Sequence, residues 1–114
     1  MSKQQDAFLA RRFGVFNHFL YSAPSSRPDT LAAQPTPDWN ACVEHFDVED
    51  MARRLHAVGA GYYWITIMQG RKYMLAPNAA FDAIAGTKPG EACAHRDLIA
   101  DLAEALARYD IDLF

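Results

Sequence analysis

One segment constrains the fold more than any other: an amphipathic helix that leads within a few residues into an apolar run. Asp47 is a favourable N-cap residue, and Glu49 in the first turn suits the positive end of the helix dipole. Apolar residues then recur with helical spacing on one face: Val48, Met51, Ala52, Leu55 and Val58. Gly59 favours the left-handed conformation that ends a helix, and the apolar run 62–68, YYWITIM, follows it closely.

The same order of elements recurs along the chain. The run at 62–68 is apolar at both odd and even positions, which is typical of a parallel strand covered on both faces. Residues 13–20 predict an earlier strand, and residues 110–114 begin a third one. A second helix is predicted over 96–109, with a buried face formed by Leu98, Leu102, Ala105, Leu106 and Tyr109. The order β–α–β–α–β predicts an α/β protein with about three parallel strands and right-handed crossovers.

The connections between these elements are asymmetric in length. The strand-to-helix loops, 22–38 and 69–94, are long, and the first holds four of the six prolines. The helix-to-strand joints are only a few residues long. Both (β/α) barrels and open doubly wound sheets bind ligands at the carboxyl ends of their strands, where the long loops begin. Functional residues are therefore expected at that end.

Gln69, Arg71 and Tyr73 follow the second predicted strand and lie at this end. An amide and a guanidinium are good partners for hydroxyl and carboxylate groups, and a tyrosine ring can stack on a sugar. The alternative is an exposed loop, where polar residues are expected in any case. Asn78, after Pro77, is predicted to be a turn or cap residue.

The composition excludes several function classes. A chain of 114 residues, 51% apolar, predicts a single domain over 1–114. A net charge of −3 with no basic run longer than two residues argues against nucleic-acid binding. Cys42 and Cys93 have no zinc-ligand spacing, so we expect no metal or cofactor, and a disulfide stays open. Without a signal peptide or a span of about 20 apolar residues, a cytoplasmic location and no membrane contact are predicted.

Three segments resemble the amino-terminal part of the α-L-fucosidases, glycoside hydrolase family 29. They are RRFGVFNHFLYSAP at 11–24, DWNACVEHFDVEDMARRLHAVGAGYYWIT at 38–66 and HRDLIADLAEALARYDIDLF at 95–114. The family strand that corresponds to 62–68 runs into two sugar-contacting histidines, where this chain has Gln69 and Gly70. In that departure, and in a first-strand motif one residue shorter than usual, the chain resembles a divergent bacterial branch of the family.

The resemblance implies the start of a (β/α)8 TIM barrel that acts on a fucose-like sugar with retention. The family's nucleophile and its acid/base carboxylate follow later strands and are not on this chain. His18 keeps its motif position and is expected to hydrogen-bond a sugar hydroxyl. Trp39 lies near an aromatic motif and is either a sugar-stacking platform or a packing anchor for the helix start. The sugar-binding residues predicted are His18, Trp39, Gln69, Arg71 and Tyr73.

Three functional hypotheses follow. In the first, the chain is an amino-terminal fragment of a fucosidase-like hydrolase that is inactive alone. In the second, it is a non-catalytic carbohydrate-binding module that uses the same strand ends. In the third, the open edges of a three-stranded sheet lead copies of the chain to assemble into homo-oligomers.

Overall fold

The structure is a computed structural model that describes residues 2–19, 38–69 and 73–114. The elements follow one another in the order α1 (Lys3–Ala10), β1 (Gly14–Asn17), α2 (Trp39–Glu44), α3 (Val48–Ala57), β2 (Tyr62–Ile65), β3 (Met68–Gln69), β4 (Tyr73–Met74), α4 (Ala79–Ala85), α5 (Leu98–Ala107) and β5 (Asp112–Leu113). They divide between two compact units. The first unit holds α1, β1, α3, β2, α5 and β5, and the second holds α2, β3, β4 and α4.

The first unit is built on a parallel three-stranded sheet of order β1-β2-β5. Gly14 of β1 lies opposite Tyr62 of β2, and Tyr62 lies opposite Asp112 of β5. Strands that are consecutive in this unit are therefore neighbours in the sheet. The predicted mixed α/β class with parallel strands is confirmed for this unit.

The two long helices of the first unit follow their predicted periodicity. Asp47 caps α3 by accepting a hydrogen bond from the backbone N–H of Asp50 at 2.9 Å. Gly59 has the expected positive φ of 78° just after the helix. The buried helix residues are Ala52, Leu55, Leu98, Leu102, Ala105 and Leu106. The prediction that Val58 shares this face is wrong: α3 ends at Ala57, and the side chain of Val58 is exposed.

The prediction that 62–68 is one strand covered on both faces is also wrong. The strand β2 ends at Ile65, and residues 68–69 form the separate strand β3 in the second unit. Tyr63 and Ile65 are buried, whereas Trp64 between them is exposed. The even-numbered residues of β2, Tyr62 and Trp64, are aromatic. The ring of Trp64 packs on the rings of Phe16 in β1 and Phe114 just after β5 instead of under a second layer.

Helix α1 lies in a segment where no helix is predicted from the sequence. Ser2 and Gln5 form a reciprocal capping box at its start. After the helix, the guanidinium of Arg11 binds the carboxylates of Asp110 and Asp112 at 3.0 and 2.9 Å. These ion pairs join the segment before β1 to the segment that leads into β5.

In the second unit, β3 and β4 pair antiparallel. Asn78 caps α4 by accepting a hydrogen bond from the backbone N–H of Phe81 at 2.9 Å, so the predicted cap is confirmed. Arg96 donates to the backbone carbonyls of Val43 and Phe46, both at 2.9 Å. Of the predicted loop 22–38, only Asp38, the N-cap of α2, lies within the described residues.

Candidate functional site

An aromatic pair lies across strands β1 and β2, on the face of the sheet opposite the buried Tyr63. Phe16 and Trp64 are direct neighbours in the strand register. Their ring centroids are 6.2 Å apart and their planes meet at 84°, an edge-to-face arrangement. Phe16 is 54% exposed and Trp64 is 43% exposed. Part of each ring is therefore accessible to a ligand.

A polar residue follows each aromatic residue at the carboxyl end of its strand. His18 is exposed, and its ring contacts the Phe16 ring edge-on with centroids 4.6 Å apart. Thr66 is half-buried, and its backbone N–H donates to the carbonyl of Asn17 at 3.3 Å, which continues the parallel ladder. Side chains alternate along a strand, so residues two apart share a face. We call Phe16, Trp64, His18 and Thr66 the strand-end ladder.

The strand-end ladder contains no carboxylate, lysine or arginine. The charged groups of the neighbouring strand segment are already paired, because Arg11 binds both Asp110 and Asp112. A site with exposed aromatic rings and a few neutral polar groups suits an uncharged ligand that has both an apolar surface and hydroxyl groups. For such a ligand the rings would offer apolar contact, and the imidazole of His18 and the hydroxyl of Thr66 would be able to fix its orientation by hydrogen bonds.

Trp39 lies in the second unit, and its environment fits the packing-anchor alternative. Only 5% of the residue is exposed, and its indole N–H donates to the backbone carbonyl of Met74 at 2.8 Å. Its ring also contacts Phe19 and Tyr73, with centroids 5.3 and 5.4 Å apart. In this arrangement the ring is not accessible for stacking on a sugar.

The other predicted site residues do not form one described cluster. Tyr73 is half-buried against Trp39, and its backbone pairs with that of Gln69 in the β3–β4 hairpin. His18 belongs to the first unit, whereas these three residues belong to the second. Arg71 lies outside the described residues. The structure therefore brings the rings of Trp39 and Tyr73 together, pairs the backbone of Gln69 with that of Tyr73, and places His18 among other partners.

A second concave region, in the second unit, offers weaker chemistry. A cavity of about 200 Å³ is lined in part by Asp82, Cys93 and His95. Burial, followed by the charge of Asp82, raises the pKa of the Cys93 thiol, which disfavours the reactive thiolate. Neither Cys42 nor Cys93 is in a disulfide. Within the described ranges, no three His, Cys, Asp or Glu residues are placed to hold a metal ion.

The sequence reasoning missed three members of the strand-end ladder: Phe16, Trp64 and Thr66. The available signal was the two-residue period of each strand, which places Phe16 with His18 and Trp64 with Thr66. The register that pairs the two strands was not available from that period. It is fixed by the sheet, in which Phe16 lies opposite Trp64.

Comparisons with known proteins give no family for the chain. No family model matches it, and searches of curated proteins and of solved structures also found no match.

Proposed function

We propose that the chain binds an uncharged sugar on the strand-end ladder, as the first βα units of a fucosidase-like glycoside hydrolase. One observation carries this proposal: two half-exposed aromatic rings are followed, on the same face, by His18 and Thr66 at the carboxyl ends of paired parallel strands. Sugars present apolar C–H surfaces beside hydroxyl groups, which this combination of side chains complements. His18 keeps its position in the first-strand motif that resembles the fucosidases, which supports a sugar as the ligand.

The strand order supports a barrel-like start in particular. Each new parallel strand of the first unit lies beside the preceding one, in the order β1-β2-β5. A (β/α) barrel adds its strands in this way, whereas an open doubly wound sheet reverses direction at a switch point. Phe16 and Trp64 are apolar side chains on the face of the sheet opposite Tyr63. They also suit a barrel interior, which is filled by layers of side chains.

Sugar binding without hydrolysis is expected of the chain alone. Retaining glycosidases use two carboxyl groups about 5–5.5 Å apart on either side of the scissile bond. Asp110 and Asp112 are close together, but Arg11 holds both of them. We therefore expect no release of aryl alcohol from an aryl α-L-fucoside by the purified chain. Turnover that copurifies with the protein would contradict this part of the proposal.

The cellular location is part of the same proposal. Cysteines outside disulfides, such as Cys42 and Cys93, are typical of a reducing compartment, which favours the cytoplasm. Of the helices that the structure describes, none is long and apolar enough to cross a membrane.

The two tryptophan indole N–H groups allow a direct binding test by NMR. We expect methyl glycosides of neutral sugars to shift the indole signal of Trp64, because that ring is partly accessible on the ladder. A ligand of about 12 non-hydrogen atoms, at roughly 0.3 kcal/mol per atom, implies a Kd on the order of millimolar. The signal is assigned from the spectrum of Trp64→Phe.

The indole of Trp39 is the internal control for this titration. Its N–H is hydrogen-bonded to Met74 within the second unit, so its signal is expected to stay in place. A non-catalytic carbohydrate-binding module would give the same shifts. This hypothesis and that of a hydrolase fragment differ only in the family relationship. Titration of a monomeric sample to tens of millimolar with no shift at Trp64 would rule out sugar binding on the ladder, and a shift at Trp39 instead would move the site to the second unit.

A further inference from the structure

The exposed aromatic side of the first unit extends beyond the strand-end ladder. Helix α1 adds Phe8, whose ring stacks on Tyr62 with centroids 5.1 Å apart, and Phe8 and Trp64 both contact Phe114. We call Phe8, Leu9, Phe16, Trp64 and Phe114 the aromatic face. Each of these five residues is between 39% and 59% exposed. Together they form a continuous apolar surface on one unit, which is a feature of interaction sites.

Helix α1 is a short, exposed helix that we expect to be stabilised by packing against another surface. It is 8 residues long and none of its residues is buried. Isolated helices shorter than about 12 residues are marginal in water, and most helical stability comes from burying one face. Its capping box and the ring contacts of Phe8 are modest stabilisation for an exposed helix. Burial of Phe8 and Leu9 against another surface would supply the rest.

The size of the aromatic face fits a standard protein–protein interface. A large apolar side chain has about 200 Å² of surface, so five that are half-exposed offer roughly 500 Å². Apolar atoms make up about 57% of the area of a typical interface. An interface containing this apolar surface and its polar rim would therefore cover about 850 Å². A stable interface buries about 800 Å² on each partner. The face is therefore large enough for one partner of ordinary size.

The charges around the face favour a copy of the same chain as that partner. A two-fold contact brings identical surfaces together, so any unpaired charge would meet its like. The five residues of the face carry no charge, and at its border Arg11 is paired with both Asp110 and Asp112. The exposed charges on α1, Lys3 and Asp6, are of opposite sign, so a two-fold contact can bring one against the other, and Arg12 follows the helix. A shallow groove beside α1 is lined by Ser2, Gln5, Phe8 and Leu9 among others, and the exposed Leu9 lies at its surface.

We propose that a second copy of this chain covers the aromatic face in a two-fold dimer. In this dimer the Leu9 side chain of each copy enters the α1 groove of the other, and Phe16 and Trp64 lie in the interface. Where the proposed sugar binding also holds, a consequence follows. The sugar and the second copy compete for the same two rings, so the dimer is the sugar-free form and the monomer binds sugar.

Sedimentation equilibrium over about 1–500 µM tests the dimer, because interfaces of this size bind with micromolar or tighter affinity. We expect the mass to rise from 12.8 kDa to twice that value. Leu9→Lys is expected to weaken the dimer at least tenfold, because the two-fold contact contains the change twice. Ile84→Lys is the matched control. Ile84 is 89% exposed near the end of α4 in the second unit, so its replacement should leave the dimer unchanged.

Phe114→Lys is a second interface variant, at an exposed position just after β5, and circular dichroism checks that each variant is folded. A single-chain mass at every concentration would overturn the proposal. So would mass growth past two chains without a plateau, or equal effects of Leu9→Lys and Ile84→Lys. A dimer that persists while sugar shifts the Trp64 signal would overturn the competition. A dimer of the native chain, with no sugar shift of Trp64 even in the monomeric Leu9→Lys variant, would leave the inference standing and overturn the proposed sugar binding instead.

Discussion

Replacing Trp39 by alanine is expected to destabilise the chain by about 3–5 kcal/mol, the usual cost of truncating a buried aromatic side chain. Trp39 is almost fully buried, and the change also removes the indole donor to the Met74 carbonyl. The contacts with Phe19 and Tyr73 are lost at the same time. Urea denaturation followed by circular dichroism measures the change, with the midpoint and the slope both fitted.

Trp64→Ala is the matched control for Trp39→Ala. Because Trp64 is exposed over much of its surface, its removal is expected to cost only about 1 kcal/mol, while the response to sugar is lost. The paired variants thus separate the packing anchor from the sugar platform. Trp39→Ala with unchanged stability and abolished sugar binding would show that Trp39 is the platform and that the packing interpretation is wrong.

The helices that the sequence predicts well are those with strong local signals. Asp47 and Asn78 act as caps through bonds to backbone N–H groups three residues on, and such bonds depend only on nearby residues. The periodic leucines of α5 are buried as predicted. Helix α1 has a local capping box, but all of its residues are exposed, so no apolar period marks it.

The candidate site was harder to predict because it depends on long-range pairing. A run such as YYWITIM has apolar residues at both parities, which does not distinguish a face covered by helices from one left open. Only the sheet shows that Tyr63 is buried and that Trp64 lies beside Phe16 on the open face. His18 was expected at a site from its motif, whereas its neighbour Thr66 depends on the register of two strands.

The stability of the fold is expected to fall between pH 10 and pH 12 because of Tyr63. This tyrosine is fully buried, and within the described part of the chain its hydroxyl has no hydrogen-bond partner. Burial raises the pKa of Tyr63 from 10.0 to about 12. The folded protein therefore keeps the phenol proton at a pH where the unfolded chain releases it. The stability from this group is complete below pH 10 and is lost as the pH rises through 12.

The loss should reach roughly 2–3 kcal/mol, because each unit of difference in pKa corresponds to about 1.4 kcal/mol. Tyr63→Phe should abolish the part of the alkaline loss of stability that comes from Tyr63. At pH 7 the stability of this variant should equal that of the native chain or exceed it by up to about 1 kcal/mol, since no hydrogen bond is removed. Tyr62→Phe, at the half-buried neighbour, should retain the alkaline loss. Urea denaturation at pH 7, 10 and about 11.5 compares the three proteins. A Tyr63→Phe variant destabilised at pH 7 would mean that the hydroxyl has a bonding partner, because an unpaired hydroxyl contributes nothing that phenylalanine lacks.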